Sequence, residues 1–208
     1  MCNRYRQWKT KDDLSRIFEA RPLTDDPLPA EDRYPRRAAA IIRKVAGERV
    51  IDDAKTWGIP NKMKGKRPGT TVTSWVTNVR TLSSPFWRSA LAKPANRCLV
   101  PFTSFAEPKP GKGEDNLPAC HWFDLPASEV AAFAGIWRPY SIELKGEQLS
   151  GEAFAFLTCE PNPLVAPLHP KAMPVILAPE DYDAWLDGDV DSACALAAPF
   201  PSQLMRVA

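Results

Sequence analysis

Cys98-Leu99-Val100-Pro101-Phe102-Thr103-Ser104-Phe105 is the stretch that best indicates the fold, because it is an apolar run of strand length near the middle of the chain. It opens a series of short runs rich in β-branched and aromatic residues, a composition typical of strands. The predicted strands are Cys98–Phe105, Ala119–Asp124, Val130–Trp137, Ala153–Thr158 and Val175–Leu177. The turns between them are short and rich in Gly, Pro, Asp and Asn, which predicts mostly antiparallel pairing.

Helices and further strands are predicted on both sides of this series. Thr10 is a predicted N-cap for a helix that ends near Phe18, and Ser84 precedes a proline at the first helical position of another. The remaining predicted elements are a strand over Ala38–Ile42, a turn at Gly47, a strand near Val50, a helix over Pro85–Ala92 and a helix over Pro179–Leu186. Residues 21–35 and 61–70 are predicted to be surface connections. This mixture indicates an α+β fold.

Composition limits the class of protein. The chain has 208 residues, a length that suits one domain, 1–208. It is 44% hydrophobic with a formal net charge of +2, which neither requires nor excludes nucleic-acid binding. It contains no apolar stretch of ~18 residues, so we expect a soluble cytoplasmic protein without membrane contact. The five cysteines form no C-x-x-C pair, so we expect neither a metal nor a disulfide framework.

Cys2 follows Met1 directly. Removal of Met1 would give Cys2 a free α-amine beside its thiol. The amine of such a 1,2-aminothiol condenses with an aldehyde, and the thiol then closes a thiazolidine on the same carbon. An α-amine has a pKa of ~7.7–8.0, so part of it is free base near neutral pH. Position alone does not decide the matter, because many cysteines at position 2 have no special role.

Four polar residues stand in apolar or Trp-rich surroundings: Asn78, Arg80, Glu107 and His169. A buried polar group without a partner costs ~1–3 kcal/mol, so such residues need a structural or functional reason. Together with Cys2 they indicate a reactive site. The second histidine, His121, is interpreted as a strand residue.

The ordered motifs from Met1 to about Leu186 resemble those of the SOS-response-associated peptidase family, whose members process abasic sites and crosslink to single-stranded DNA. The matching segments are Met1-Cys2-Asn3-Arg4-Tyr5, Trp57-Gly58-Ile59-Pro60, Asn78-Val79-Arg80, Arg97-Cys98-Leu99-Val100-Pro101, Phe105-Ala106-Glu107-Pro108, Phe133-Ala134-Gly135-Ile136-Trp137, and His169 before Met173-Pro174-Val175-Ile176-Leu177. Three departures stand out. Asn3 replaces Gly, no acidic residue follows Arg80, and Pro108 replaces an aromatic residue.

The resemblance implies a strongly curved, barrel-like, mostly antiparallel sheet with a few flanking helices and one open cleft. It also implies a reversible thiazolidine crosslink between Cys2 and an abasic site, formed during the SOS response to DNA damage. We assign proton transfer to Glu107 and positioning of the sugar or of the Cys2 backbone to Asn78. By resemblance, His169 assists ring opening and reversal of the crosslink. No cofactor is expected, and we expect a monomer that associates with the nucleoid when bound to DNA.

The predicted DNA contacts are arginines and tryptophans near these motifs. Arg4 and Arg80 are candidate phosphate clamps, because a guanidinium group binds phosphate in a bidentate manner. Trp57 and Trp75 are candidate platforms for base stacking. The basic segment 62–67 is a possible extension of the phosphate track or a solvated loop.

Two other functions remain open at this point. The same residues suit a cysteine peptidase or amidohydrolase with an N-terminal nucleophile, in which a thiolate attacks with help from His169. A noncatalytic module that binds single-stranded DNA would use Arg4, Arg80 and aromatic stacking without Cys2. A metal enzyme is disfavoured, because no ligand spacing is present.

Overall fold

The computed structural model describes residues 2–29, 31–113, 116, 118–144 and 146–208. Over these residues the helices are α1 Lys11–Phe18, α2 Pro85–Leu91, α3 Tyr182–Asp187 and α4 Val190–Ala195, with 3₁₀ turns at Pro94–Asn96, Pro179–Asp181 and Ser202–Leu204. The strands are β1 Arg4–Arg6, β2 Arg21–Pro22, β3 Asp32–Arg33, β4 Ala38–Val45, β5 Glu48–Trp57, β6 Ile59–Lys64, β7 Thr71–Val76, β8 Asn78–Val79, β9 Arg97–Phe102, β10 Ser104–Lys112, β11 Pro118–Asp124, β12 Ala131–Leu144, β13 Glu147–Cys159, β14 Met173–Pro174, β15 Ile176–Leu177 and β16 Arg206–Val207.

Five strands close into a barrel. Their order is β13-β12-β9-β4-β5, and β5 then pairs with β13 to complete the ring. The neighbours within the series are antiparallel, whereas the closing pair is parallel and joins Thr56 to Ala153 and Trp57 to Phe154. The predicted α+β fold with a barrel-like, mostly antiparallel sheet is confirmed.

The barrel strands have apolar residues on both faces. Successive side chains of a strand point to opposite sides, so each strand contributes to two separate clusters. One face carries large aromatic residues, among them Phe133, Phe154 and Phe156. The other carries mostly small and aliphatic residues, which pack against the apolar sides of helices α1, α2 and α3. This double burial explains why the central strands read as continuous apolar runs.

A second, five-stranded sheet has the order β16-β11-β10-β1-β3 and lies against the aromatic cluster through Tyr5, Phe105 and Phe123. The chain passes from the barrel to this sheet at Thr103, whose backbone N–H donates to the carbonyl of Arg6 at 2.8 Å. The prediction of one continuous strand over Cys98–Phe105 is therefore wrong. Thr103 separates it into β9 and β10, which pair with different partners.

Arg97 joins the barrel to α3. Its guanidinium is buried and donates to the carbonyls of Trp185 and Gly188, both at 2.7 Å. The indole of Trp185 donates in return to the carbonyl of Cys98 at 2.9 Å. Carbonyls at a helix C-terminus lack partners within the helix and carry partial negative charge. Arg97 therefore has a structural reason to begin β9.

Two local predictions from the sequence are confirmed in detail. Thr10 caps α1, and its side chain and that of Asp13 form a reciprocal capping box. The turn between β4 and β5 has φ of 51° at Ala46 and 86° at Gly47, a pair of positive φ values typical of a tight hairpin turn. Ser84 occupies the N-cap position of α2 without a side-chain hydrogen bond.

Other predicted boundaries need correction. Residues 61–70 were expected to form a loop, but Asn61–Lys64 belong to β6, which pairs with β7 in a hairpin. The predicted strands Val130–Trp137 and Ala153–Thr158 extend into the long hairpin of β12 and β13. Of the predicted strand Val175–Leu177 only Ile176–Leu177 forms a strand, β15, and the sequence did not indicate β14 or α4. No helix within the described ranges is long and apolar enough to span a membrane.

Gly135 lies where two barrel strands approach closely. A Cβ at this position would lie 2.7 Å from Cγ2 of Val100 and 2.9 Å from Sγ of Cys98. We therefore expect Gly135→Ala to lower the free energy of unfolding by ~1–3 kcal/mol, the usual cost of overpacking. Urea unfolding would measure this loss. Adding Val100→Ala to Gly135→Ala should recover part of it, and simple additivity of the two changes would contradict the steric explanation.

Candidate active site

Cys2 lies at the start of the second sheet, just before β1. Its side chain is fully buried and belongs to the aromatic cluster. The thiol donates to the carbonyl of Arg4 at 3.4 Å. Burial, together with the negative charge of Glu107, raises the pKa of the Cys2 thiol well above its ordinary value of 9.0. The thiol is therefore protonated at neutral pH.

Asn78 reaches Cys2 from the barrel. Strand β8 runs parallel to β13, with Asn78 beside Phe156. The side-chain amide Nδ2 donates to the backbone carbonyl of Cys2 at 3.1 Å and to Oγ1 of Thr77 at 2.7 Å. Asn78 thus fixes the backbone that carries the Cys2 amine and thiol.

Glu107 is completely buried on β10. In the pairing of β10 with β11, Phe105 lies opposite Phe123 and their rings stack at 5.1 Å, which defines the inner face of this sheet. Glu107 is two residues beyond Phe105 and so lies on the same face. Removal of the carboxyl from water raises the pKa of Glu107 to about 7.

His169 approaches Glu107 on a compact turn. Asn162 Oδ1 accepts from the backbone N–H groups of Leu164 and Val165, and the N–H of His169 donates to the carbonyl of Val165 at 2.8 Å. The His169 ring donates from Nδ1 to the carbonyl of Ala172 at 2.8 Å, because a carbonyl only accepts. This bond orients the imidazole.

The imidazole and the carboxyl lie close together, with Nδ1 of His169 3.5 Å from Oε2 of Glu107. Such a distance is typical of an ion pair, but burial opposes both charged forms. Burial lowers the pKa of His169, the bond to Ala172 opposes that shift, and Lys171 and Arg80 reinforce it. At neutral pH we therefore expect a neutral imidazole beside a carboxyl that is close to half protonated. Such a pair is suited to giving and taking protons.

The structure thus brings Cys2, Asn78, Glu107 and His169 into one site from four separate segments of the chain. It does not do so for all the predicted DNA contacts. Trp57 is buried, stacks on Phe156 at 5.3 Å and meets Tyr5 edge-on at 5.0 Å. The expectation that Trp57 stacks on a base is corrected, since no ring face reaches solvent.

The other predicted DNA contacts lie at the surface or near it. Arg80 is about half exposed and pairs with Glu160 at 3.2 Å. Its positive charge contributes to the lowered pKa of His169, after burial. Trp75 is partly buried and packs edge-on against Tyr140 at 5.5 Å. The basic residues of segment 62–67 lie in the β6–β7 hairpin.

Arg4 extends from the face of β1 opposite Tyr5. Its Nε donates to Oδ2 of Asp32 at 2.6 Å, and its guanidinium lies over the rings of Tyr34 and Trp122. This outer face is separate from the inner face that carries Glu107.

Two residues near the site were not predicted. His121 pairs with Glu107 across β10 and β11, so both side chains emerge on the same face of the sheet. The alternation of Phe123 and His121 along β11 was the available signal, but the register was not known from the sequence. Lys171 follows the motif histidine by two residues and influences its pKa. Among the described residues, no group of His, Cys, Asp and Glu side chains suits a metal ion.

Comparison with known proteins decides the family. The sequence profile of SOS response associated peptidase (SRAP) matches residues 1–208, the whole chain. The chain belongs to the SRAP family. No curated relative matches it in sequence.

Three solved structures share the fold of this chain. A protein from Bordetella bronchiseptica is similar with a TM-score of 0.73 and 24% identity, covering 100% of this chain and 98% of that one. A protein from Bacteroides thetaiotaomicron has a TM-score of 0.72 and 17% identity, with 99% and 90% coverage. A phage-related protein from Bordetella bronchiseptica has a TM-score of 0.63 and 22% identity, with 99% and 92% coverage. At these identities the likeness concerns the fold alone.

The raised pKa of Glu107 has a consequence for stability. Between the ordinary pKa of 4.5 and the folded value of about 7, the folded protein keeps a proton that the unfolded chain releases. The contribution of this group is therefore fully present below about pH 4.5 and is lost as the pH rises through about 7. Glu107→Gln does not titrate. Relative to the wild type, its free energy of unfolding should rise across this window by up to about 3 kcal/mol.

Urea unfolding at about pH 5 and about pH 8 would measure the change. The exposed carboxyl of Glu160 provides a control, and Glu160→Gln should follow the wild type at both pH values. Parallel profiles of Glu107→Gln and the wild type would contradict the shift.

Proposed function

We propose that the protein, once Met1 is removed, captures abasic sites in single-stranded DNA as a reversible thiazolidine adduct at Cys2. The observation that carries this proposal is the burial of the Cys2 thiol beside Glu107, with its backbone held by Asn78. Membership of the SRAP family supports the same chemistry. The site would act on DNA in the cytoplasm during the SOS response, as a monomer and without a cofactor.

The reaction proceeds in two stages at one carbon. The Cys2 amine attacks the aldehyde of the ring-opened deoxyribose and forms a carbinolamine. Protonation of its hydroxyl by Glu107 releases water and leaves the Schiff base. The thiol then adds to the imine carbon, its proton passing to nitrogen, and closes the five-membered ring. One water is lost in total and no bond in the DNA backbone is broken. A carboxyl with a pKa of about 7 suits this acid step.

The protonation state of Cys2 favours amine-first chemistry over a thiol peptidase. A nucleophilic thiolate requires a lowered pKa, usually from a neighbouring cation or helix N-terminus. Here burial and the charge of Glu107 raise the pKa of the thiol instead. The thiol therefore reacts in the second stage, when the Schiff base already provides an activated carbon. Hydrolysis of labelled peptides would favour the peptidase alternative.

The neighbouring residues have supporting roles. Asn78 donates to the Cys2 carbonyl and so fixes the backbone that carries the amine and the thiol. His169, neutral at physiological pH, moves protons in ring opening and in reversal. Arg80 and Lys171 supply positive charge on the His169 side, where a phosphate of the bound strand would lie.

Cys2 substitutions test the covalent step. Protein without Met1 should form a heat-stable adduct with a single-stranded oligonucleotide that contains an abasic site. Cys2→Ala should form none, because neither Lys nor another amine has a thiol on the adjacent carbon. Cys2→Ser should give only an adduct that requires reduction by borohydride, since oxygen closes the ring less well. Intact mass spectrometry would identify each product.

Cys98→Ala is the matched control, because Cys98 is another fully buried cysteine of the aromatic cluster. Its adduct yield should equal that of the wild type. A stable adduct of undiminished yield from Cys2→Ala would remove Cys2 from the mechanism. Binding of DNA with no adduct in any variant would indicate the noncatalytic module.

His169 is tested through the reverse reaction. An aminothiol traps aldehydes without help, whereas reversal requires protonation at sulfur, ring opening and hydrolysis. A positioned acid or base contributes ~10²–10⁴-fold to such transfers. His169→Ala should therefore still form the adduct but release it about that much more slowly, whereas Glu107→Ala should slow formation. A chase with excess unlabelled abasic strand measures release. Release at the wild-type rate would mean that His169 is only structural.

A further inference from the structure

The outer face of the five-stranded sheet carries an alternating stack of aromatic and guanidinium groups. The Arg6 guanidinium lies 4.2 Å from the ring centre of Trp8 and 3.8 Å from that of Trp122. The Arg4 guanidinium lies 5.1 Å from Trp122 and 5.4 Å from Tyr34. We call these five residues, Trp8, Arg6, Trp122, Arg4 and Tyr34, the arginine–aromatic ladder.

One carboxylate fixes the ladder. Asp32 accepts from Nε of Arg4 at 2.6 Å and from Nε of Arg6 at 3.2 Å. Asp32 lies on β3, which pairs with β1, so the two guanidinium planes are held by strand pairing as well as by charge. Such pre-ordering reduces the entropy that a ligand contact would otherwise cost.

The charge of this face favours an anion. The ladder borders a groove of about 560 Å³, lined by Arg4, Arg6, Lys109, Lys112, Cys120 and Trp122 among others. Among the described residues that line this groove, four are cationic, Arg4, Arg6, Lys109 and Lys112, and none is acidic. The two lysines are exposed on the β10 side of the groove.

The aromatic groups limit the kind of anion. Trp8 is 49% exposed and Tyr34 is 37% exposed, so both ends of the ladder present aromatic surface to solvent. An acidic peptide would need only the cations, and a duplex keeps its bases stacked on each other. A single nucleic-acid strand offers phosphates and unstacked bases together.

The ladder is also close to the candidate active site. Arg4 follows Cys2 by two residues, which is ~7 Å along an extended chain. Arg4 pairs with Ala106, and Glu107 is the next residue, but it faces inward. The same two strands therefore carry the reactive site on one face and the ladder on the other.

We infer that the arginine–aromatic ladder binds the single-stranded segment flanking the abasic nucleotide, stacking a base on Trp8 and holding phosphates with Arg6, Lys109 and Lys112. This deepens the proposed function, on which it rests for the abasic nucleotide itself. The binding is independent of the covalent step. The test can therefore use intact strands and a protein that cannot react.

The experiment measures binding of intact oligothymidine to the full chain carrying Cys2→Ala, at several salt concentrations. Trp8→Ala should weaken binding at least about fivefold, the lower end of the effect of losing one base stack, without altering the salt slope. Trp8→Phe should retain most of the affinity. Arg6→Ala should weaken binding and reduce the log–log salt slope by ~0.7.

The controls separate surface binding from folding. Arg88→Ala removes an exposed arginine of α2, which lies outside the five-stranded sheet, and should change nothing. If Arg6→Ala unfolds, the double variant Lys109→Gln/Lys112→Gln changes only exposed side chains and should reduce the slope by ~1.4. Oligouridine should bind similarly to oligothymidine, because stacking and phosphate contacts do not distinguish the two sugars.

Affinities and slopes within error of the parent for Trp8→Ala and for both basic variants would overturn the inference. Equal competition by polyglutamate, with no effect of Trp8→Ala, would also overturn it, because it would show a simple anion patch. Failure of Cys2 to crosslink, with the ladder effects present, would contradict only the proposed function.

Discussion

The pairing of β1 with β10 is the constraint on which the candidate site depends. N-terminal segments commonly fray unless a sheet holds them. Here Arg4, Tyr5 and Arg6 pair with Ala106, Phe105 and Ser104 of β10. The ring of Tyr5, on the inner face, packs edge-on against aromatic rings of the barrel. Cys2, just before β1, consequently lies beside Glu107. Although it is near the chain terminus, its position is fixed as firmly as that of a core residue.

Burial shifts the pKa of each reactive group towards its uncharged form. Low polarity opposes every charged form, so it raises the pKa of the Cys2 thiol and of Glu107 and lowers that of His169. Neutral groups that exchange protons readily are suited to carbinolamine dehydration, which needs an acid and then a base. They are unsuited to thiolate attack on an amide. The same burial that weakens stability above about pH 7 thus favours one reaction class over the other.

The sequence predicted local structure well where local chemistry determines it. The capping box at Thr10 and Asp13 and the turn at Gly47 depend on nearest neighbours and are confirmed. The prediction was wrong where long-range pairing decides. Thr103 interrupts an unbroken apolar run because two sheets compete for its two halves. The hairpin of β6 and β7 forms from a polar, basic sequence because each strand supplies the partner of the other.

For the candidate site, too, the sequence predicted the identity of the residues but not their arrangement in space. Cys2 was found from its position after Met1, and Asn78, Glu107 and His169 because polar residues inside apolar runs are costly without a reason. Their separations were not predictable, since they depend on the registers of β1 with β10 and β8 with β13. Trp57 shows the opposite case. It is the first residue of a motif, yet the parallel closure of β5 on β13 buries it completely. Proximity to a motif in sequence therefore indicates a shared fold more reliably than a shared ligand.

The substitution at Pro108 connects the site with the outer face. By resemblance, an aromatic residue follows the glutamate in this family, and Pro108 replaces it here. Proline lacks an N–H and cannot donate a hydrogen bond to the neighbouring strand. The register of β10 with β11 accordingly shifts just beyond Pro108. Pro108 pairs with Cys120, two residues before Trp122 on the same face. On this outer face the aromatic ring between Arg4 and Arg6 therefore belongs to Trp122 of β11 and not to β10.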